Sequence, residues 1–147
     1  MLGVSFKDDA GAACYIVGVH SPHPVRGSAD TVASIRGALV AAGERSEEIR
    51  IVAGDMNYDF DPTDRDEFYE EIVGDFGDST ASLGETYYAH TRIDHMFHHP
   101  KRLPVVSEAS GMVDISFRFA QVPGFRDHRP IVVTYDLSSL EAARPRE

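Results

Sequence analysis

The apolar residues of this chain come in runs of only a few positions, each broken by glycine, proline or a polar residue, and this limits what it can fold into. Runs that short make buried strands or one face of a helix, and they do not span a bilayer. Ala13 to Val19 (Ala-Cys-Tyr-Ile-Val-Gly-Val) is rich in β-branched and aromatic residues and reads as a buried strand. The prolines of His20-Ser21-Pro22-His23-Pro24 enforce a loop after it. The period then changes. From about Ala29 to Ala42, Val32, Ile35, Leu39 and Ala42 fall on one helix face, with Gly43 as C-cap. Ile49 to Ala53 is the next buried strand, stopped by Gly54-Asp55.

Asp61 as N-cap and Pro62 in the first turn open a second helix that ends near Gly74. Leu83 to Tyr88, Ile93 to Phe97, Val105 to Ser110, Ser116 to Phe119 and Ile131 to Tyr135 are the remaining strand candidates. The stretch before Asp8 is assigned no element, Asp8 and Asp9 mark a polar turn ahead of Gly11, and Leu140 to Glu147 is a charged tail. Two helices among six or seven strands imply one α+β domain, with sheets packed on each other and helices outside. The length of 147 residues fits one domain.

Charge narrows the function classes. With 24 acidic and 14 basic side chains the net charge is −10, the wrong sign for an unassisted grip on a polyanion. A chain with this balance that handles phosphates needs a bound cation, a local basic patch or a small substrate. Arg26, Arg92, Lys101, Arg102, Arg118, Arg126 and Arg129 are available for such a patch. Cys14 has no intrachain disulfide partner and reads as a small buried hydrophobe. No basic segment followed by an apolar one opens the sequence, so the default expectation is a cytoplasmic protein without a signal peptide.

Three segments carry side chains suited to chemistry. In Ile51-Val52-Ala53-Gly54-Asp55-Met56-Asn57 a buried strand delivers a carboxylate and a carboxamide two residues apart, which converge if the backbone stays extended. Together they suit a hard divalent cation or a phosphate, although an Asp/Asn turn after a strand is common. In Thr91-Arg92-Ile93-Asp94-His95-Met96-Phe97 a lone acid enters an apolar strand. Taken alone it reads as a surface residue. In Phe125-Arg126-Asp127-His128-Arg129-Pro130, ahead of Ile131, an acid and a histidine stand at a strand mouth. Their side chains diverge, so they have different jobs.

Together, and in this order, the three segments resemble the C-terminal signature of the endonuclease/exonuclease/phosphatase superfamily. Gly-Asp-Met-Asn is similar to its Gly-Asp-Phe/Leu-Asn motif, Arg-Ile-Asp-His to Arg-Ile-Asp-Tyr, and Asp-His-Arg-Pro to the Ser-Asp-His-x-Pro motif. The resemblance covers roughly Val4 to Leu137. It implies a deoxyribonuclease-like fold and a Mg²⁺- or Mn²⁺-dependent site that hydrolyses phosphodiesters or phosphomonoesters. By motif, Asp127 is a metal ligand. Asp55 and Asn57 orient the attacking water, bind phosphate or help hold the metal. His128 binds phosphate or acts as acid/base, oriented by Asp94, and His20 is a second histidine at the scissile phosphate. The implied partner is a phosphorylated substrate, with nucleic acid left open.

The sequence departs from that family in places. The family has about twice as many sheet strands in two similar halves, and its first half brings an Asn and a metal-binding Glu that are missing here. The expectation is a chain lacking the N-terminal half, with an apolar sheet face left bare. Such a chain is a fragment, pairs as a homodimer or with another chain, or is an inactive relative that only binds. His95 stands where the family prefers an aromatic residue and Arg126 where it prefers a small hydroxyl. His98-His99-Pro100 reads as a solvated turn and not as a zinc site.

Overall fold

The structure, a computed structural model, describes residues 2–8, 11–23, 28–60, 67–87, 91–112 and 128–138. Strand β1 (Leu2–Lys7) turns back through Asp8, whose carboxylate accepts the Ala12 amide at 2.6 Å, and pairs antiparallel with β2 (Ala13–His20). β2 runs parallel to β3 (Ile49–Asp55), and α1 (Ser28–Gly43) is the crossover that parallel neighbours require. After α2 (Glu67–Val73) come β4 (Gly77–Asp78) and β5 (Asp94–His99). The result is one five-stranded mixed sheet in the order β1-β2-β3-β5-β4. A two-stranded ribbon of β6 (Gly111–Met112) and β7 (Ile131–Val132) stands beside it.

Strand alternation sorts the sheet into two faces. Val17, Val19, Val52 and Phe97 face the helices and pack against Ile35, Ala38, Leu39 and Ala42 of α1 and Ile72 and Val73 of α2. The helix face expected from the period is the buried one, and each buried aliphatic side chain stabilises the fold by roughly 1.5–3 kcal/mol. Cys14, Ile49 and Ile51 point to the other face, where Leu103, Tyr135 and Leu137 cover them. Cys14 is buried, as its apolar neighbours implied. Among the described residues, no helix is long and apolar enough to cross a membrane.

Several expected elements differ from those observed. β1 was assigned no element, although Leu2, Val4 and Phe6 alternate with Gly3, Ser5 and Lys7. Leu83 to Thr86 is not a strand: the segment is irregular, and only Tyr87 makes bridge pairs, with Thr91 and His128. Val105 to Ser110 is not one either. Val105 makes a single bridge to Tyr135, and Ser107–Ala109 is a 3₁₀ turn. The strand from Ile131 stops at Val132. Gly74, with φ +55, ends α2 by donating to the Glu70 carbonyl at 2.9 Å. The Asp61-Pro62 helix start, the Ser116 to Phe119 strand and the charged tail lie outside the described residues.

Candidate active site at the strand ends

Three neighbouring strands end on the same level. Register pairs His20 of β2 with Asp55 of β3, and Asp55 with Asp94 of β5, so the three side chains stand side by side along one edge of the sheet. Gly54 makes this approach feasible. Its φ is +143, and a Cβ there would lie 2.0 Å from the Val19 carbonyl oxygen, so any side chain would push β2 and β3 apart. The glycine of the Gly-Asp pair is a requirement of the strand spacing.

His128 joins from the loop before β7. Its Nδ1 lies 2.8 and 3.0 Å from the two Asp94 carboxylate oxygens, a bond that fixes Nδ1 as the donor. Its Nε2 is then directed toward Asp55 Oδ2, at 3.8 Å, and His20 Nε2 lies 3.7 Å from that same oxygen. One carboxylate oxygen is thus flanked by two imidazoles, each just beyond direct hydrogen-bonding distance.

Asn57 is held in a different way from the one expected. The strand ends at Asp55, and Asn57 takes a left-handed backbone with φ 49. Asp55 Oδ1 accepts the Asn57 amide at 2.8 Å, an Asx turn that orients the carboxylate. The Asn57 side-chain amide donates to the Ser21 carbonyl at 2.8 Å. Convergence of Asp55 and Asn57 comes from this turn and not from extended alternation. A cavity of about 480 Å³ is lined by His20, His23, Asp55, Asn57, Asp59, Tyr87, Thr91, Ile93 and His128. The structure therefore brings together His20, Asp55, Asn57, Asp94 and His128, while Asp127 lies outside the described residues.

Asp59 and Tyr87 were missed in the sequence. Asp59 continues the Asp55, Asn57 spacing by two and accepts the Arg92 amide at 3.2 Å. The Tyr87 ring packs at a tilt against His128, with centroids 4.9 Å apart, and the strand expected over Leu83 to Tyr88 gives no sign of that contact.

Of the cations expected to supply a basic patch, two are engaged elsewhere, and Arg129 lines a pocket with Asp94 and His128. Arg92 is buried and ion-paired with Asp78 at 3.2 Å, and Lys101 pairs with Glu70 at 3.3 Å. Arg26, Arg118 and Arg126 lie outside the described residues. Burial pushes the Asp78 carboxyl up, but the His95 hydrogen bond and charge, then Thr80 and Arg92, outweigh it and hold the pKa at about 2. His95 itself is buried, stacked on Phe97 with the rings 6° apart and set edge-on against Phe60. It fills an aromatic's place while donating to the Arg92 carbonyl at 2.8 Å. His98 is not a solvated turn residue: it is 4% exposed, on β5, with Nδ1 2.7 Å from Ser79 Oγ.

Among the described residues, no three His, Cys, Asp or Glu side chains are grouped to hold a metal ion. The donors that line the cavity are nonetheless hard. The carboxylates of Asp55 and Asp59 and the Asn57 amide suit Mg²⁺ or Mn²⁺ in the mode where one or two carboxylates share the ion with substrate phosphate.

No family model matches the sequence, and no curated protein does. Solved structures do match. An endonuclease/exonuclease/phosphatase family protein from Bacteroides thetaiotaomicron is 22% identical with a TM-score of 0.60, over 90% of this chain and 53% of that one. The mannosyl-6-phosphatase Bt3783 of the same species is 21% identical, with a TM-score of 0.56 over 90% and 55%. The inositol polyphosphate 5-phosphatase domain of SPsynaptojanin, solved with an inositol bisphosphate and calcium, is 15% identical, with a TM-score of 0.59 over 90% and 49%. The chain has the deoxyribonuclease-like fold of these endonuclease/exonuclease/phosphatase structures, and it spans about half of their length.

Proposed function

We propose that this chain carries the reaction centre of a divalent-metal-dependent phosphoesterase that acts on a small phosphate ester. The observation that carries the reading is the run Asp94–His128–Asp55–His20, in which Asp94 holds the His128 ring while His128, Asp55 and His20 line one cavity. Hydrolysis of phosphate esters is among the slowest uncatalysed reactions in water, so positioning and charge neutralisation carry most of the rate enhancement. In this reading Asp55 takes a proton from the water whose oxygen bonds to phosphorus as the ester P–O bond breaks. His20 and His128 face the phosphoryl oxygens, and the Nδ1–H of His128 bonded to Asp94 leaves its Nε2 free to take up or pass on a proton. Asp94 fixes the His128 ring, and Asn57 orients Asp55. A Mg²⁺ or Mn²⁺ ion held by Asp55, Asn57 and Asp127, when bound, polarises the phosphoryl group and offsets its negative charge.

Size and charge support the substrate class. No Lys or Arg lines the described cavity, and the chain as a whole carries −10. Both features disfavour a long polyanion such as duplex DNA. Two of the matching structures are named as a mannosyl-6-phosphatase and an inositol polyphosphate 5-phosphatase domain. Hydrolysis of bis-p-nitrophenyl phosphate by the purified chain, with Mg²⁺, Mn²⁺ or EDTA and His128→Ala in parallel, tests the reading. Metal-dependent turnover that disappears in the variant is expected. A folded chain with no turnover above the variant would instead be a phosphate-binding module or need a partner half.

A further inference from the structure

One buried residue outside the motifs ties together the two segments on which the candidate site depends. Thr86 is 0% exposed and sits in the irregular segment between β4 and β5. Its Oγ1 accepts two backbone amides, Ile93 at 3.2 Å and Asp94 at 3.1 Å. Its carbonyl accepts the Arg129 amide at 2.7 Å, next to His128, and its own amide donates to the Thr91 carbonyl at 3.0 Å. The following residue, Tyr87, makes bridge pairs with both Thr91 and His128 and packs its ring at a tilt against the His128 imidazole.

These bonds do two things. The hydroxyl anchors the backbone of Asp94 where β5 begins, a point at which strand pairing alone leaves the chain end free to fray. The carbonyl anchors the loop that delivers His128. Asp94 and His128 are 34 residues apart in sequence, and their hydrogen bond has a length set by how those two backbones are spaced. We infer that Thr86 is a positioning residue for the Asp94–His128 pair: its hydroxyl and carbonyl clamp the two segments so that the carboxylate meets Nδ1. This rests on the phosphoesterase reading for its catalytic meaning, though not for its geometry. Serine keeps the acceptor, whereas valine keeps the shape and leaves two amides without a partner.

The test compares Thr86→Val and Thr86→Ser with the unaltered chain. The ¹⁵N resonances of the His128 ring report which nitrogen carries the proton. The unaltered chain and the serine variant are expected to hold it on Nδ1, and the valine variant to mix the two tautomers. In hydrolysis, Thr86→Val should lower kcat by roughly 10–100-fold with little change in KM, and serine should restore most of it. Should the valine variant fail to fold, amide exchange in the unaltered chain still decides. The Asp94 and Arg129 amides are expected to exchange slowly, and fast exchange at both overturns the assignment. So does a folded Thr86→Val whose His128 tautomer and kcat match the unaltered chain. The resonance and exchange arms need no turnover. An unaltered chain with the expected ring signature and no hydrolysis therefore counts against the phosphoesterase reading alone.

Discussion

At the scale of single residues, the site depends on two backbone conformations that side-chain lists do not reveal. Asn57 at φ 49 and Gly54 at φ +143 bracket Asp55 and fix where its carboxylate goes. Gly54→Ala must move the Val19 carbonyl, since a Cβ would sit 2.0 Å from that oxygen. It is expected to cost about 3 kcal/mol of stability in urea unfolding, and a loss under about 0.5 kcal/mol would contradict the close approach. Asp55, Asn57, Asp94, His128 and His20 are legible in the sequence because three short segments, in order, resemble one family's signature, while each segment alone has a commoner reading. The sequence did not reveal the turn at Asn57, because an extended and a left-handed Asn look the same in a sequence. His95 shows the opposite error. It looked like a departure from an aromatic position, yet its ring stacks on Phe97 and packs edge-on against Phe60 as an aromatic would.

At the scale of elements, apolar periodicity was enough where burial was one-sided and long. α1, β2 and β3 are where Val32, Ile35, Leu39 and the two apolar runs put them. It failed where pairing is short or solvent-exposed. β1 lies open on the sheet edge, and Leu83 to Thr86 carries strand-like residues used for anchoring instead of pairing. β4 is only Gly77–Asp78, yet it brings Asp78 into a buried network with Arg92 and His95 beside β5. That network predicts an acid response. The Asp78 pKa is lowered from 3.8 to about 2, so its contribution is present above about pH 4 and lost as pH falls from there through about 2. Asp78→Asn should flatten that part of the stability–pH curve. It should also cost about 3 kcal/mol near neutral pH, because Arg92 is left buried without its partner. Urea midpoints measured across the range check both, and equal acid slopes in the two proteins would count against the network.

At the scale of the whole molecule, the helix side of the sheet is closed and the other side is only partly covered. Leu2 is 83% exposed, Val4 58% and Phe6 45%, and their register partners Gly18, Ile16 and Cys14 put them on the face opposite the helices. Bare apolar surface of this kind drives association. The unaltered chain is expected to gain mass with concentration in light scattering. Replacing Leu2, Val4 and Phe6 together by threonine should abolish that gain at a cost of less than about 1 kcal/mol, since the side chains are already solvated. The same mass at every concentration for both proteins would show that this face needs no cover.

The reaction itself is tested most directly by a double-mutant cycle on the pair that joins β5 to the β7 loop. Asp94→Asn, His128→Gln and the double variant are compared for kcat/KM on bis-p-nitrophenyl phosphate with Mg²⁺ or Mn²⁺. If Asp94 acts through the His128 ring, each single change lowers kcat/KM by on the order of 100-fold or more, and the double variant is no worse than the poorer single. Losses that multiply in the double variant, or singles that hydrolyse as fast as the unaltered chain, would mean that the pair is not the unit that performs the chemistry.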